Sequence, residues 1–441
     1  MNAPLFLERR FLPMWTALSL GAFADNMLRQ ALLVGIPFGV INLTGLSDPT
    51  HALPVLGSIF AVSMLIFSPL AGQFAEKYET GMMFRRTKLA EVALMAAAAV
   101  GFAINSGWFL IIVLFAMAAQ SAFFSPVRMG AMPKYLRADE LVRGNGLCNA
   151  GLYASILIGL FLGGLLIEAA GGRMIVASLL LCAALIGWIA ILFAPGAKAD
   201  LPGLEIDWNI VAQGARILHY AFAAPGVARP ALATAFFFFV STLVTVLAPH
   251  YARVSLGADG ATATAIMGVF AVGAGAGALA AAALSRRRTG LGFSTLGIAL
   301  AAGSALAVYL LTGLFPAAEP GTLSAAILFS EARGQALLAA FGLSAAFMGL
   351  FVAPLQAAMQ RRAPAEKRSR IMAASNMLNA LAATLGSLSV FAVTFELVDA
   401  RSAFVVVAGL QALVAAYMIR RRRVVPSGLH DEAFETGETR S

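Results

Sequence analysis

Charge is scarce in this sequence. Only 12% of its 441 residues are Asp, Glu, Lys or Arg, while 60% are hydrophobic, and the mean hydropathy is +0.83. A water-soluble domain carries about 25% charged residues. A surface this poor in charge is excluded from bulk water and must be covered largely by lipid. Cysteine is also scarce. Cys148 and Cys182 both sit in apolar stretches, make no CxxC pair and have no metal-ligand spacing, so they read as buried thiols. None of the four histidines, His51, His219, His250 and His430, has an Asp five residues later, which excludes the usual acyltransferase His-x-x-x-x-Asp pattern. There is no G-x-x-x-x-G-K-[ST] loop to suggest ATP drive, no nucleophile elbow and no metal-ligating cluster. These absences predict a protein that is not an enzyme, with no catalytic residues, no metal and no cofactor. The net charge of +9 would suggest nucleic acid in a soluble protein. Here the basic residues lie between apolar runs, so no nucleic-acid partner is expected.

Long apolar runs are what the chain has instead. A membrane-spanning helix needs about 20 mostly apolar residues. Twelve such segments are expected: 12–42, 54–76, 86–104, 108–132, 143–169, 173–194, 229–252, 262–284, 290–313, 335–359, 369–397 and 401–420. The opening MNAPLFLERR has no cleavable signal pattern, and the first run reads as a retained helix. Lys and Arg concentrate in alternate segments at and between the ends of these runs, among them Lys77, Arg85, Arg86, Lys88, Lys134, Arg286, Arg287, Arg288, Arg361 and Arg362. The intervening loops hold only Arg173, Arg253, Arg333 and Arg401. This asymmetry places both termini in the cytoplasm. The fold class expected is an all-α membrane protein of two six-helix pseudo-repeats, 1–194 and 229–423. A cytoplasmic linker, 195–228, joins them, and a disordered tail, 424–441, follows. In the linker Trp208, Val211, Ala215, Leu218 and Phe222 recur at helical spacing, which predicts an amphipathic helix on the inner membrane face. The repeat also shows in short motifs. FFSPVRMGAM (123–132) and LFVAPLQAAM (350–359) align Pro126 with Pro354 and Arg128 with Gln356, and Asn-bearing segments follow each.

Charges within the membrane mark function by default. Asp25 lies near the middle of the first segment, beside Asn26, with Arg29 at i+4. It is expected either to line a central cavity or to be neutralised by pairing with Arg29 on one helix face. Arg128 is two turns from the cytoplasmic end of the fourth segment, able to snorkel or to hold a phosphate through its fork of donors. Glu91 is expected in a structural pair with Lys88 or Arg128. Asn145, Asn149, Gln356, Asn376 and Asn379 either make interhelical hydrogen bonds or reach a substrate.

GQFAEKYETGMMFRR (72–86) resembles the loop signature of the major facilitator superfamily, Gly-x-x-x-Asp-Arg followed by basic residues. The resemblance implies gating residues Gly72, Glu76, Lys77, Arg85 and Arg86, with the acid in a charge relay that latches the outward-facing state. Glu76 replaces the usual Asp and Lys77 the usual Arg. FADNML (23–28), FSPLAGQFAE (67–76), MMFRRTKL (82–89), FFSPVRMGAM (123–132), LVRGNGLCNA (141–150) and LFVAPLQAAMQ (350–360) resemble the bacterial lysophospholipid transporter family. That resemblance implies a transporter of lysophospholipid between leaflets of the bacterial inner membrane. Its implied partners are membrane lipids, with a cytoplasmic acyltransferase downstream. Asp25 matches the family's helix-one Asp, and Arg128 stands in place of a Lys. Two features depart from the family: helix seven (236–249) lacks a basic residue, and Asn379 stands near an acidic position. Three other functions stay open: a proton-coupled exporter of hydrophobic drugs or metabolites, a lipid-modifying enzyme and a non-transporting acyltransferase partner. An Asp25–Arg29 pair would argue against the first.

Overall fold

The computed structural model describes residue 5 and residues 8–137, 140–223, 226–285, 292–316, 323–362 and 368–424. Arg286, Arg287, Arg288 and the tail 425–441 lie outside the described residues. The described chain is helical, with one isolated bridge between Ala258 and Leu323. The first six helices are α1 (Leu12–Gly35), α2 (Leu53–Lys77), α3 (Thr80–Ala103), α4 (Gly107–Tyr135), α5 (Leu141–Ile167) and α6 (Gly172–Leu192). After α7 (Ile210–Ala223) come α8 (Ala228–Leu256), α9 (Gly260–Ser285), α10 (Gly292–Thr312), α11 (Ala325–Ser330), α12 (Ala332–Arg362), α13 (Arg368–Ser389), α14 (Phe391–Thr394) and α15 (Ala403–Val424).

Among the described residues, ten helices are long and apolar enough to cross a membrane. α1 and α3, each of 24 residues, are not among them. α1 carries Asp25 and Arg29, and α3 carries Arg85, Arg86, Lys88 and Glu91. Both pack within the bundle nonetheless, α1 on α5 and α6 and α3 on α4 and α6. The packing repeats. The pairs α1–α5, α2–α4, α3–α4 and α3–α6 recur as α8–α13, α9–α12, α10–α12 and α10–α15. The principal contacts between the two sets, α2–α13 and α5–α9, are exchanged by the same correspondence. Such exchange is what an internal repeat produces, although the α1–α6 pair has no matching α8–α15 pair among the main contacts of the described residues.

Several ends differ from the expected ones. α1 stops at Gly35, because Pro37 cannot donate a helical hydrogen bond and disfavours helix just before it. α3 starts at Thr80 rather than 86. The Glu79 carboxylate caps it by accepting from Gly81 N at 2.9 Å and Met82 N at 2.6 Å. Arg85 therefore joins Arg86 and Lys88 as a helical residue. Lys88 is buried in the bundle, 1% exposed. Cys148 is buried as expected, but Cys182 is exposed on α6. The segment between the two sets folds into α7, with Trp208 and Val211 exposed. Its other face packs on α2 and α13. Asn209 caps it by accepting from Ala212 N.

Candidate functional site

Helix direction gives the bundle an Asp48 end, where α1 finishes and α2 begins, and a Trp208 end, where α2 finishes. A cavity of about 310 Å³ lies between them. α1 lines it with Gly21, Asp25, Asn26 and Arg29, α3 with Lys88 and Glu91, and α4 with Gln120, Ser121 and Arg128. Phe60 and Met64 of α2 and Leu152 and Ile156 of α5 supply apolar walls.

A hydrogen-bond chain crosses this cavity. The Ser121 hydroxyl donates to Asp25 Oδ2 at 2.6 Å and lies 3.3 Å from Gln120 Oε1. Gln120 Nε2 donates to the Thr87 carbonyl at 3.0 Å and to Glu91 Oε2 at 3.3 Å. Lys88 Nζ donates to Glu91 Oε2 at 2.6 Å and stands over the Phe124 ring at 4.8 Å. The second oxygens, Asp25 Oδ1 and Glu91 Oε1, are buried without partners among the described residues.

The Asp25–Arg29 pair is not formed. Ser121 occupies the carboxylate, and Arg29 Nε is buried without a partner. Neither Arg29 nor Arg128 makes an ion pair or hydrogen bond among the described residues. Glu91 pairs with Lys88 rather than Arg128. A charge at the centre of a spanning helix costs roughly 2.5–3.5 kcal/mol on insertion scales. Two half-buried guanidiniums facing one cavity therefore make it receptive to an anion.

The cavity unites Asp25, Asn26, Arg29 and Arg128. Asn26 turns its amide onto the Ala22 carbonyl of its own helix at 2.8 Å. Asn145, Asn149, Gln356, Asn376 and Asn379 lie outside its lining. Asn145, Asn149 and Asn376 are exposed, Gln356 is half-buried, and Asn379 is buried with Oδ1 unpartnered. Ser121 was not legible beforehand. A helical serine ordinarily bonds its own preceding turn, and nothing in SAFFSP signals a partner on another helix.

The family model of the Major Facilitator Superfamily matches residues 18–330. The chain belongs to the major facilitator superfamily. It is 29% identical over 372 residues to Lysophospholipid transporter LplT of Klebsiella pneumoniae subsp. pneumoniae, covering 81% of this chain and 82% of that one. It is 28% identical to Lysophospholipid transporter LplT of Escherichia coli O1:K1 / APEC, with 78% of each chain covered. Two solved structures share the fold. The peptide transporter POT in complex with sulfate matches at TM-score 0.69 and 14% identity, covering 94% of each chain. A bacterial homologue of the human lysosomal transporter Spinster, inward-facing and unoccupied, matches at TM-score 0.62 and 13% identity, covering 87% of this chain and 81% of that one.

The loop that carries the superfamily signature is short here, since α2 runs to Lys77 and α3 starts at Thr80. Glu76 is exposed and has no ion-pair partner among the described residues. Glu79 holds the corner instead. Beyond capping α3, it accepts from Ala197 N at 3.1 Å and lies 3.6 Å from Arg85. A Cβ built on Gly72 meets nothing within 4 Å, so among the described residues no neighbouring helix packs closely on it. At the Asp48 end the two sets do meet closely. Ser387 donates to the Pro54 carbonyl at 2.7 Å, His51 lies 3.0 Å from the Thr394 carbonyl, and Arg253 donates to the Pro37 carbonyl at 3.1 Å.

Proposed function

We propose that this major facilitator protein moves lysophospholipid, or a similar single-chain amphipathic lipid, between the leaflets of the bacterial inner membrane. The Trp208 end faces the cytoplasm in this reading, because Lys and Arg cluster there. The observation that carries the reading is the polar cavity in the first six helices, where a carboxylate with a free oxygen and an unpartnered guanidinium line one space. A lysophospholipid head has the complementary charges. Asp25 receives an ammonium, and Arg128 receives the phosphate through its planar fork. Phe60, Met64, Leu152 and Ile156 border that space with apolar surface suited to the start of an acyl chain. Similarity to the lysophospholipid transporters supports the substrate class. The gating residues Gly72, Glu76, Lys77, Arg85 and Arg86, with Asn145 and Asn149 on α5 and Gln356, Asn376 and Asn379 on the second set, serve the alternation of the two halves. The product is then available to a cytoplasmic acyltransferase.

Leaflet-resolved flux of lysophosphatidylethanolamine in proteoliposomes tests this. Asp25→Ala and Arg128→Ala are each expected to lower flux at least ~10-fold, the equivalent of losing one charged hydrogen bond of about 1.5–3 kcal/mol. Unchanged flux in both variants would show the assigned head-group site to be wrong.

One observation favours a second reading, the proton-coupled exporter. Asp25 is not tied to Arg29, so the pairing that would argue against proton exchange is missing. Flux that collapses with a protonophore, with lysolipid not carried, would select it.

A further inference from the structure

Arg29 has no task in the head-group site just described, yet it is placed at some energetic disadvantage. Its guanidinium lines the cavity, its Nε is buried and unpartnered, and the carboxylate one turn away is already engaged by Ser121. The Asp25–Ser121 bond fixes a common level on the antiparallel helices α1 and α4. From that level Arg29 lies four residues toward the Asp48 end, and Arg128 lies seven residues toward the Trp208 end. At 1.5 Å of rise per residue, their backbones stand about 16 Å apart along the bundle. The Lys88–Glu91 pair, neutral as a unit, belongs to the stretch between them, since Lys88 Nζ lies against Gly21, one turn from Asp25 toward the Trp208 end.

We propose that Arg29 is a second phosphate station, nearer the Asp48 end, so that an anionic head group is held in turn by Arg29 and Arg128 as it crosses the bundle. This deepens the lysolipid reading and rests on it for the identity of the cargo. The stations themselves need only a phosphomonoester or phosphodiester with one tail. A single unpaired arginine gives the head one resting place. Two, with an internally paired segment between them, give it a resting place on each side of the bundle centre without a deep well in the middle.

The probe is n-hexyl phosphate, used below its micelle concentration with the purified full-length protein, and the readout is the number of equivalents bound at equilibrium. Wild type is expected to bind two per chain, and R29Q and R128Q one each. R29K keeps the charge and loses the fork, so it should retain the second equivalent at weaker affinity, and it stands in for R29Q should that variant not fold. One equivalent in wild type, or R29Q and R29K both indistinguishable from wild type, overturns the second station. Two equivalents of hexyl phosphate with no lysophosphatidylethanolamine flux would keep the stations and remove the lysolipid reading instead.

Discussion

Lys88 and Glu91 are 1% and 3% exposed and 2.6 Å apart, and they sit where the apolar pattern of α3 predicts neither. Burying two charges is worthwhile only with good geometry and further donors and acceptors. Here Gln120 donates to the same carboxylate oxygen that Lys88 holds, and the Phe124 ring faces the ammonium. Removing one member strands the other in the bundle. Lys88→Met and Glu91→Leu alone should each destabilise the protein by about 3–5 kcal/mol, whereas the double variant should lie within about 1–2 kcal/mol of wild type. Thermal unfolding in detergent of the four proteins closes this cycle. Additive losses would mean the two side chains are stabilised separately and the pair is incidental. The pair also explains why Asp25 can stay unpaired from Arg29. With Glu91 Oε2 held by Lys88 and Gln120, the Ser121 hydroxyl donates to Asp25 Oδ2.

The elements are held at their ends by side chains that local pattern hardly reveals. Arg10 makes a two-pronged contact with Glu140 at 2.7 Å, pinning the start of α1 to the start of α5, and Arg137 N donates to the same carboxylate at 2.9 Å. The Arg10 hydrogen bond first, then the Arg137 amide, hold the Glu140 carboxyl at about 2, against an ordinary value of 4.5. A depressed carboxyl stabilises the folded form above its ordinary value, and that contribution disappears as pH falls from 4.5 toward 2. Hydrogen exchange over residues 8–15, corrected for its intrinsic pH dependence, should therefore accelerate across that window. Glu140→Gln should show the fast exchange already at neutral pH and respond little to acid; a wild-type-like profile in that variant would contradict the clamp. Long apolar runs such as those of α4, α8 and α12 were legible because lipid demands them along their whole length. The start of α3 was not, because three cations near its N-terminus lower the apolar signal that Glu79 capping overrides. Asp25 and Arg128 were legible as charges out of place. The partner of Asp25 was not, since i,i+4 spacing names Arg29 for it while the fold brings Ser121 from another helix.

At the scale of the molecule, the Asp48 end is where one half locks onto the other. α2 crosses α13 and α8 so closely at Gly57 that a Cβ there would run into the side chains of Ser387 and Val246. The same seam carries the Ser387–Pro54 hydrogen bond, the His51 ring stacked on Phe395 at 4.2 Å, and Arg253 3.4 Å from Asp48. At the Trp208 end, α7 bridges α2 and α13, with Gln73 bonded to Gln213 at 2.8 Å and Gly214 against Met377. One end is thus a direct contact and the other is spanned by a linker helix, an arrangement suited to rocking about the cavity between them. Gly57→Val should act as a wedge at the direct contact. Overpacking of this kind costs about 1–3 kcal/mol, enough to shift a closed-to-open ratio by roughly 5–150-fold. Spin labels at exposed Thr44 and Leu397, with exposed Cys182 replaced by serine, span the seam from the first half to the second. Their separation should lengthen in Gly57→Val, and flux should fall because the closed state is populated less. An unchanged distance with unchanged flux would mean that this seam does not open during transport and that alternation is confined to the other end.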